Sequence, residues 1–134
     1  MFPFEFIING PPVSLQTKRR QRLQQWKTDV ANAARSYLQP GSAPSTARLA
    51  IKITYYYEGS TPDVDNIIKP IQDALVGLVY VDDNQIMETA SRKKDINSAY
   101  RIKGASPVIV EGFVNGVDFL HIKVIEHQPN QDLD

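Results

Sequence analysis

Four aspartates and a lysine are the side chains of this sequence best placed to do chemistry. They lie in one stretch, T-P-D-V-D-N-I-I-K-P-I-Q-D-A-L-V-G-L-V-Y-V-D-D-N-Q, from Thr61 to Gln85. Asp63 and Asp65 stand at its start, Asp82 and Asp83 at its end, and Lys69 between them. Clustered carboxylates of this kind suit a divalent metal that hydrolyses a phosphodiester, a poor electrophile shielded by negative charge. Mg²⁺ activates the attacking water and neutralises charge on the transferring and leaving oxygens. It takes oxygen ligands in octahedral geometry, usually a few carboxylates completed by water and substrate phosphate. In extended backbone Asp63 and Asp65 point the same way, with Cα atoms about 6.6 Å apart. Each residue also has a plain structural reading: Asp65 as a helix cap, Asp82-Asp83-Asn84 as a polar turn, Lys69 as an i+4 partner of Asp65 or Asp73. Residue types alone leave the two readings side by side. A calcium loop is excluded, because the sixth position from Asp63 is Ile68 rather than Gly and the twelfth is Ala74 rather than Glu.

Positioning these groups requires particular elements. Ile67, Ile68, Ile71, Ala74, Leu75 and Leu78 recur at three and four residues, the spacing of a buried helix face. Asp65 falls at or near the start of that helix, where the dipole favours a carboxylate. Lys69 and Asp73 follow it at successive i+4 steps as one polar stripe. Pro70 does not suit a helix interior, so a kink or a loose first turn is expected. A strand over Gly77–Val81 is expected to carry the chain back, so that the Asp82-Asp83-Asn84 turn closes on Asp63 and Asp65.

The flanking sequence supplies a scaffold. Phe2, Phe4, Phe6 and Ile8 alternate as one face of a strand that ends at Gly10-Pro11-Pro12. Leu23, Trp26, Val30, Ala34 and Tyr37 mark a helix over Thr17–Leu38, stopped by Pro40-Gly41. Leu49, Ile51, Ile53, Tyr55 and Tyr57 mark a strand over Arg48–Tyr57, and Ile86–Asp95 is read as another. Asn97–Ala105 reads as a loop. Ser106-Pro107 is a helix-start signal, so Val108–Asn115 is read as a short helix, with a strand as the competitor favoured by its β-branched residues. Val117–Glu126 is a strand, and the polar tail from Gln128 is expected to fray. Hairpin-like neighbours near the middle and end suggest an α+β or α/β fold: one small domain over residues 1–127, a mixed sheet with helices packed against it.

At 134 residues the chain has the length of one domain. Its zero net charge conceals an asymmetry. Residues 1–52 hold eight Lys/Arg and two Asp/Glu, whereas residues 53–134 hold seven and thirteen. A basic surface beside an acidic pocket suits a polyanion delivered to bound cations; a solvated charged surface is the plain alternative. Lys18, Arg19, Arg20, Arg22 and Lys27 concentrate on the first helix, and Arg92, Lys93 and Lys94 on a later strand. With no apolar run to span a bilayer and no signal segment, a cytoplasmic protein without membrane contact is expected. No cysteine is present, which excludes disulfides and thiolate metal sites. His121 and His127 would lie about 20 Å apart on a strand, too far for a zinc pair; His121 reads as a structural residue.

The order P-D-V-D-N-I-I-K, D-A-L, V-Y-V-D-D-N-Q-I closely resembles the RusA family of Holliday-junction resolvases, specifically across Pro62–Ile86. The resemblance implies a RusA-like fold and a metal-dependent endodeoxyribonuclease, using Mg²⁺ or Mn²⁺, that makes paired symmetric nicks in four-way DNA junctions during recombination and repair. It implies Asp63, Asp65 and Asp83 as catalytic metal ligands, Lys69 as a further catalytic residue, and Asp82 and Asn66 as supporting positions. Family members act as homodimers. Arg19, Arg20, Arg22 and Lys27, with Arg92, Lys93 and Lys94, are then the expected contacts to the DNA backbone. The chain departs from some relatives in carrying Pro62 where they have an arginine. A non-catalytic branched-DNA-binding protein of the same fold, or a nuclease acting on other branched DNA such as flaps, is the alternative.

Overall fold

The computed structural model describes residues 2–59, 64–97 and 106–129, and for Asp65 the backbone alone. Asp63, the body of the 97–105 loop and the last residues of the tail lie outside the described residues.

Four strands form one mixed sheet in the order β1-β4-β2-β3, comprising β1 Phe4–Asn9, β2 Leu49–Tyr57, β3 Ile86–Asp95 and β4 Phe119–Glu126. β4 runs antiparallel to both β1 and β2, whereas β2 and β3 are parallel. Among the described residues β2 and β3 therefore do not form the hairpin expected near the middle of the chain. Parallel neighbours need a crossover, and the stretch holding the acidic residues supplies it: a 3₁₀ turn at Val64–Ile67 followed by helix α2, Ile68–Leu75.

Period-2 patterning gives each strand two faces, and both are used. On one face Phe4 and Phe6, Leu49, Ile51, Ile53 and Tyr55, and Leu120, Ile122 and Val124 are buried. Helix α1, Arg20–Tyr37, covers this face with Trp26, Val30 and Ala34, and α2 covers it with Ile71 and Leu75. On the reverse face Ile7, Tyr56 and Phe119 form a smaller cluster under Val108, Ile109 and Phe113 of helix α3, Pro107–Val114. α3 forms despite its β-branched residues because Ser106 caps it, its side chain accepting the Ile109 N–H, and Pro107 occupies the first turn. Gly112 lets it approach, since a Cβ there would overlap the Phe119 ring.

Pro70 proves compatible with its helix. The first turn is 3₁₀ and the α-helix begins only at Ile68, so Pro70 lies in the first α-turn, where an amide donor is dispensable. The strand expected over Gly77–Val81 does not form. Gly77, at φ +80°, turns the chain tightly instead, leaving single bridges from Tyr80 to Val76 and to Ser45. No helix among the described residues is long and apolar enough to cross a membrane.

Candidate active site

Lys69 joins the two ends of the acidic stretch. Its Nζ donates to Asp83 Oδ2 at 2.6 Å and to Asp73 Oδ1 at 2.9 Å, so the α2 stripe and the Asp82-Asp83 turn meet at one ammonium. Fourteen residues separate Lys69 from Asp83; the crossover closes that gap, not helical spacing. Lys27 of α1 reaches the same cluster from above, 3.5 Å from Asp73 Oδ2. Asp73 thus carries two cations, one of them Lys27, which the sequence offered as a DNA contact.

The Asp83 turn is held by a residue without an assigned role in the sequence reading. Asp83–Gln85 is a short 3₁₀ segment capped by Asp82, whose side chain accepts the Asn84 N–H. Gln85 closes the box: its Oε1 accepts the N–H groups of Val81 and Asp82 at 2.9 and 3.0 Å. Its Nε2 donates to the carbonyls of Ser45 and Ala47, each at 2.8 Å. The turn is thereby pinned to the loop before β2. The D-x-x-Q pattern at Asp82–Gln85 is a capping-box signal that was present in the sequence. Beneath the turn Tyr80 is fully buried and donates its hydroxyl to the Gln72 carbonyl at 2.7 Å.

Electrostatics fix the charge states. The hydrogen bond from Lys69 is the main force holding the Asp83 carboxyl below its usual range, with Asp82 assisting. Reciprocally, the bonds to Asp83 and then Asp73 push Lys69 up, against a small opposing effect of burial. Asp83 is an anion at neutral pH and Lys69 a cation. Burial pushes the Tyr80 phenol up, and the charges of Asp83 and Asp73 add to it, so it stays protonated.

Of the three expected ligands, only Asp83 has a described side chain; Asp63 and the Asp65 carboxylate lie outside the described residues. Among the described residues no three acidic or imidazole side chains converge as a metal cage. The Asp83 carboxylate is an oxygen donor of the kind a hard divalent ion takes. Asp83 offers an ionised, half-exposed carboxylate, and β3, which starts just after it, packs against the 3₁₀ turn bearing Asp65. Asn66 is next to that turn's end, its carbonyl accepting the Leu15 N–H at 2.9 Å. The segment leading into α1 is thus tied to the acidic turn, just before exposed Arg19, Arg20 and Arg22 at the cap and first turn of the helix.

The second basic run divides between faces. Arg92 pairs in register with Thr54 and Lys94 with Tyr56, on the reverse face, while Lys93 pairs with Tyr55 on the face of α2. His121 is buried on the reverse face, with Nε2 2.7 Å from Glu5 Oε2, a structural contact as expected.

A family model described as Endodeoxyribonuclease RusA matches residues 10–103, the span from the Gly10-Pro11-Pro12 turn through α1, β2, α2 and β3. The chain belongs to the RusA endodeoxyribonuclease family, whose activity is the resolution of Holliday junctions. No curated protein matches it.

Proposed function

We propose that this chain is a Mg²⁺-dependent, structure-selective endonuclease that introduces paired symmetric nicks in Holliday junctions during DNA recombination and repair. The observation that carries the reading is the Lys69 bridge, which brings the Asp82-Asp83 turn beside the helix that follows the D-x-D motif in a chain of this family. Asp63, Asp65 and Asp83 are the residues to hold the metal, with Mn²⁺ as an alternative ion. When bound, the ion activates water and neutralises charge on the phosphoryl oxygens.

The protein's own part is positional. Lys69 draws the Asp83 pKa down and aims its carboxylate, and its own raised pKa removes it from service as a general base near neutrality. Asp82 caps the turn, Gln85 anchors it, and Asp73 fixes Lys69 from the other side. Asn66 supports the acidic turn through its carbonyl. Arg19, Arg20 and Arg22 contact the DNA backbone beside the site, where strong salt dependence is expected. A four-way junction is nearly two-fold symmetric, so two coordinated nicks call for a homodimer with one site per protomer.

The test is a labelled synthetic four-way junction incubated with Mg²⁺, with EDTA and with flap and duplex controls. Symmetric nicks that require the metal are expected, with Asp65→Asn and Asp83→Asn cutting at least a hundredfold more slowly. A wild type that binds the junction without scission, or an Asp65→Asn that cuts equally well, overturns the mechanism. Preferential cutting of flaps overturns the substrate.

A further inference from the structure

The reverse face of the sheet carries a charged cleft that the proposed chemistry does not use. Register sets Lys123 of β4 directly opposite Lys52 of β2, and the neighbouring row aligns His121, Thr54 and Arg92. With α3 these rows enclose about 320 Å³, lined among others by Lys52, Thr54, Arg92, Ser106 and Lys123. Like charges directly opposite on antiparallel strands are unfavourable. Among the described residues no carboxylate forms an ion pair with Lys52, Arg92 or Lys123. The acid of the cleft, Glu5, lies opposite Lys123 but turns its Oε2 to His121 and to the Ser106 hydroxyl. Arg92 is aimed as well. Its Nε donates to the buried Thr54 hydroxyl at 3.0 Å, which leaves both terminal nitrogens for a ligand.

We propose that this cleft is a second binding site for the phosphodiester backbone, holding a nucleic-acid strand on the side of the sheet away from the acidic centre. The proposal rests on the reading that the chain acts on DNA. Three adjacent strands, about 4.8 Å apart, each present one cation, so the charges span roughly 10 Å of surface. Guanidinium and ammonium groups are the usual partners of phosphate oxygens, the first as a fork and the second as a point charge. The third strand, β3, is the edge of the sheet, and its basic run alternates between faces. A DNA strand rounding that edge meets Lys93 on the catalytic side and Arg92 with Lys94 on the reverse. One junction arm can thus be gripped while another is presented for cleavage.

The test compares the wild type with the Lys52→Gln, Lys123→Gln double variant, as full chains, for binding of a fluorescent four-way junction without divalent metal across 50–200 mM salt. Each lysine that neutralises a phosphate adds about 0.9 to the slope of log affinity against log salt. The double variant is expected to lose roughly tenfold or more in affinity near 0.1 M salt and to show a slope shallower by about two. Its melting temperature is expected to equal or exceed the wild type's, since an unfavourable cross-strand pair is removed. A folded variant with unchanged affinity and slope overturns the proposal, and if the wild type still nicks the junction, the nuclease reading survives. Loss of affinity in the variant beside a wild type that binds but never cuts upholds the cleft and overturns the nuclease. Polyglutamate displacing DNA at equal charge concentration shows a general anion site and overturns the choice of ligand. A wild type that does not bind DNA overturns both readings.

Discussion

Gln85→Ala tests whether the candidate site is held by its scaffold, and the structure supplies the magnitude. The side chain makes four hydrogen bonds. Those from the Val81 and Asp82 N–H groups lie on the exposed side, where water replaces a lost acceptor at little cost. Those to the Ser45 and Ala47 carbonyls are partly buried, and each contributes about 1 kcal/mol net. A loss of about 2 kcal/mol follows, which in a domain of this size lowers the melting temperature by roughly 8 °C.

The larger effect falls on cleavage. Without the side-chain tether the turn is held to the 45–47 loop, among the described residues, only by the backbone bonds of Ser45 with Val79 and Val81. Asp83 is left to the Asp82 cap and Lys69, and a misplacement near 1 Å costs about a hundredfold in rate. Gln85→Glu separates the two halves of the role. Its carboxylate still accepts from Val81 and Asp82 but faces two carbonyl oxygens where the amide nitrogen donated, so the tether is lost while the box is kept. Both variants are therefore expected to cut slowly. Thermal melting and single-turnover cleavage of a four-way junction supply the two readouts. A Gln85→Ala protein that melts within about 1 °C of wild type and cuts at full rate refutes the claim that this tether positions Asp83.

Lys69→Met is expected to slow cleavage roughly a hundredfold while costing under about 1 kcal/mol of stability, because both of its ion pairs are half-exposed; Lys69→Arg should recover part of the rate, and equal rates for all three proteins exclude the role. Gly112→Ala places a methyl group in the Phe119 ring, so overpacking of about 1–3 kcal/mol outweighs the helix-propensity gain of about 1 kcal/mol, and denaturant melts should show net destabilisation. His121 is drawn below its ordinary value of 6.5 chiefly by burial, with Glu5 opposing. The unfolded chain therefore binds the proton more readily, and stability is expected to fall as pH drops below about 6.5. Glu5→Gln removes the opposing carboxylate and lowers the imidazole pKa further; an NMR titration placing wild-type His121 at or above 6.5 contradicts this.

Local signals in the sequence marked most elements because each carries its own physical constraint. Trp26, Val30 and Ala34 recur every four residues and are the buried stripe of α1. Ser106-Pro107 outweighed the β-branched residues after it, since a cap and a proline act on the first turn whereas β-branching only weakens the interior. What local pattern does not carry is pairing. That β2 and β3 are parallel is set by tertiary packing, and so is the use of the reverse face, where Ala50, Thr54 and Tyr56 are buried under neighbours distant in sequence. The expected strand at Gly77–Val81 failed because buried Val79 and Tyr80 anchor a turn rather than extend one. The same limit governed the site. Asp83 and Lys69 were legible as candidates, but their contact depends on the crossover, and Asp73 looked like one member of a helical stripe until α1 brought Lys27 to it.

The β2–β3 register decides what each face of the molecule can do. Between Leu49 and Ala50 the pairing partner jumps from Ile86 to Glu88, so β3 holds one extra residue at its entry. Side chains alternate strictly beyond that bulge, and a slip by one residue would exchange the faces of the whole strand. In the observed register Lys93 shares the side of the acidic turn, while Arg92 meets Thr54 and its charge is added to those of Lys52 and Lys123. The slipped register would take Arg92 from Thr54 and set it among the residues around α2. The irregularity lies three to five residues after Asp83, at the joint where Gln85 pins the turn. One short segment therefore aims the carboxylate on one face of the sheet and sorts the cations between the two.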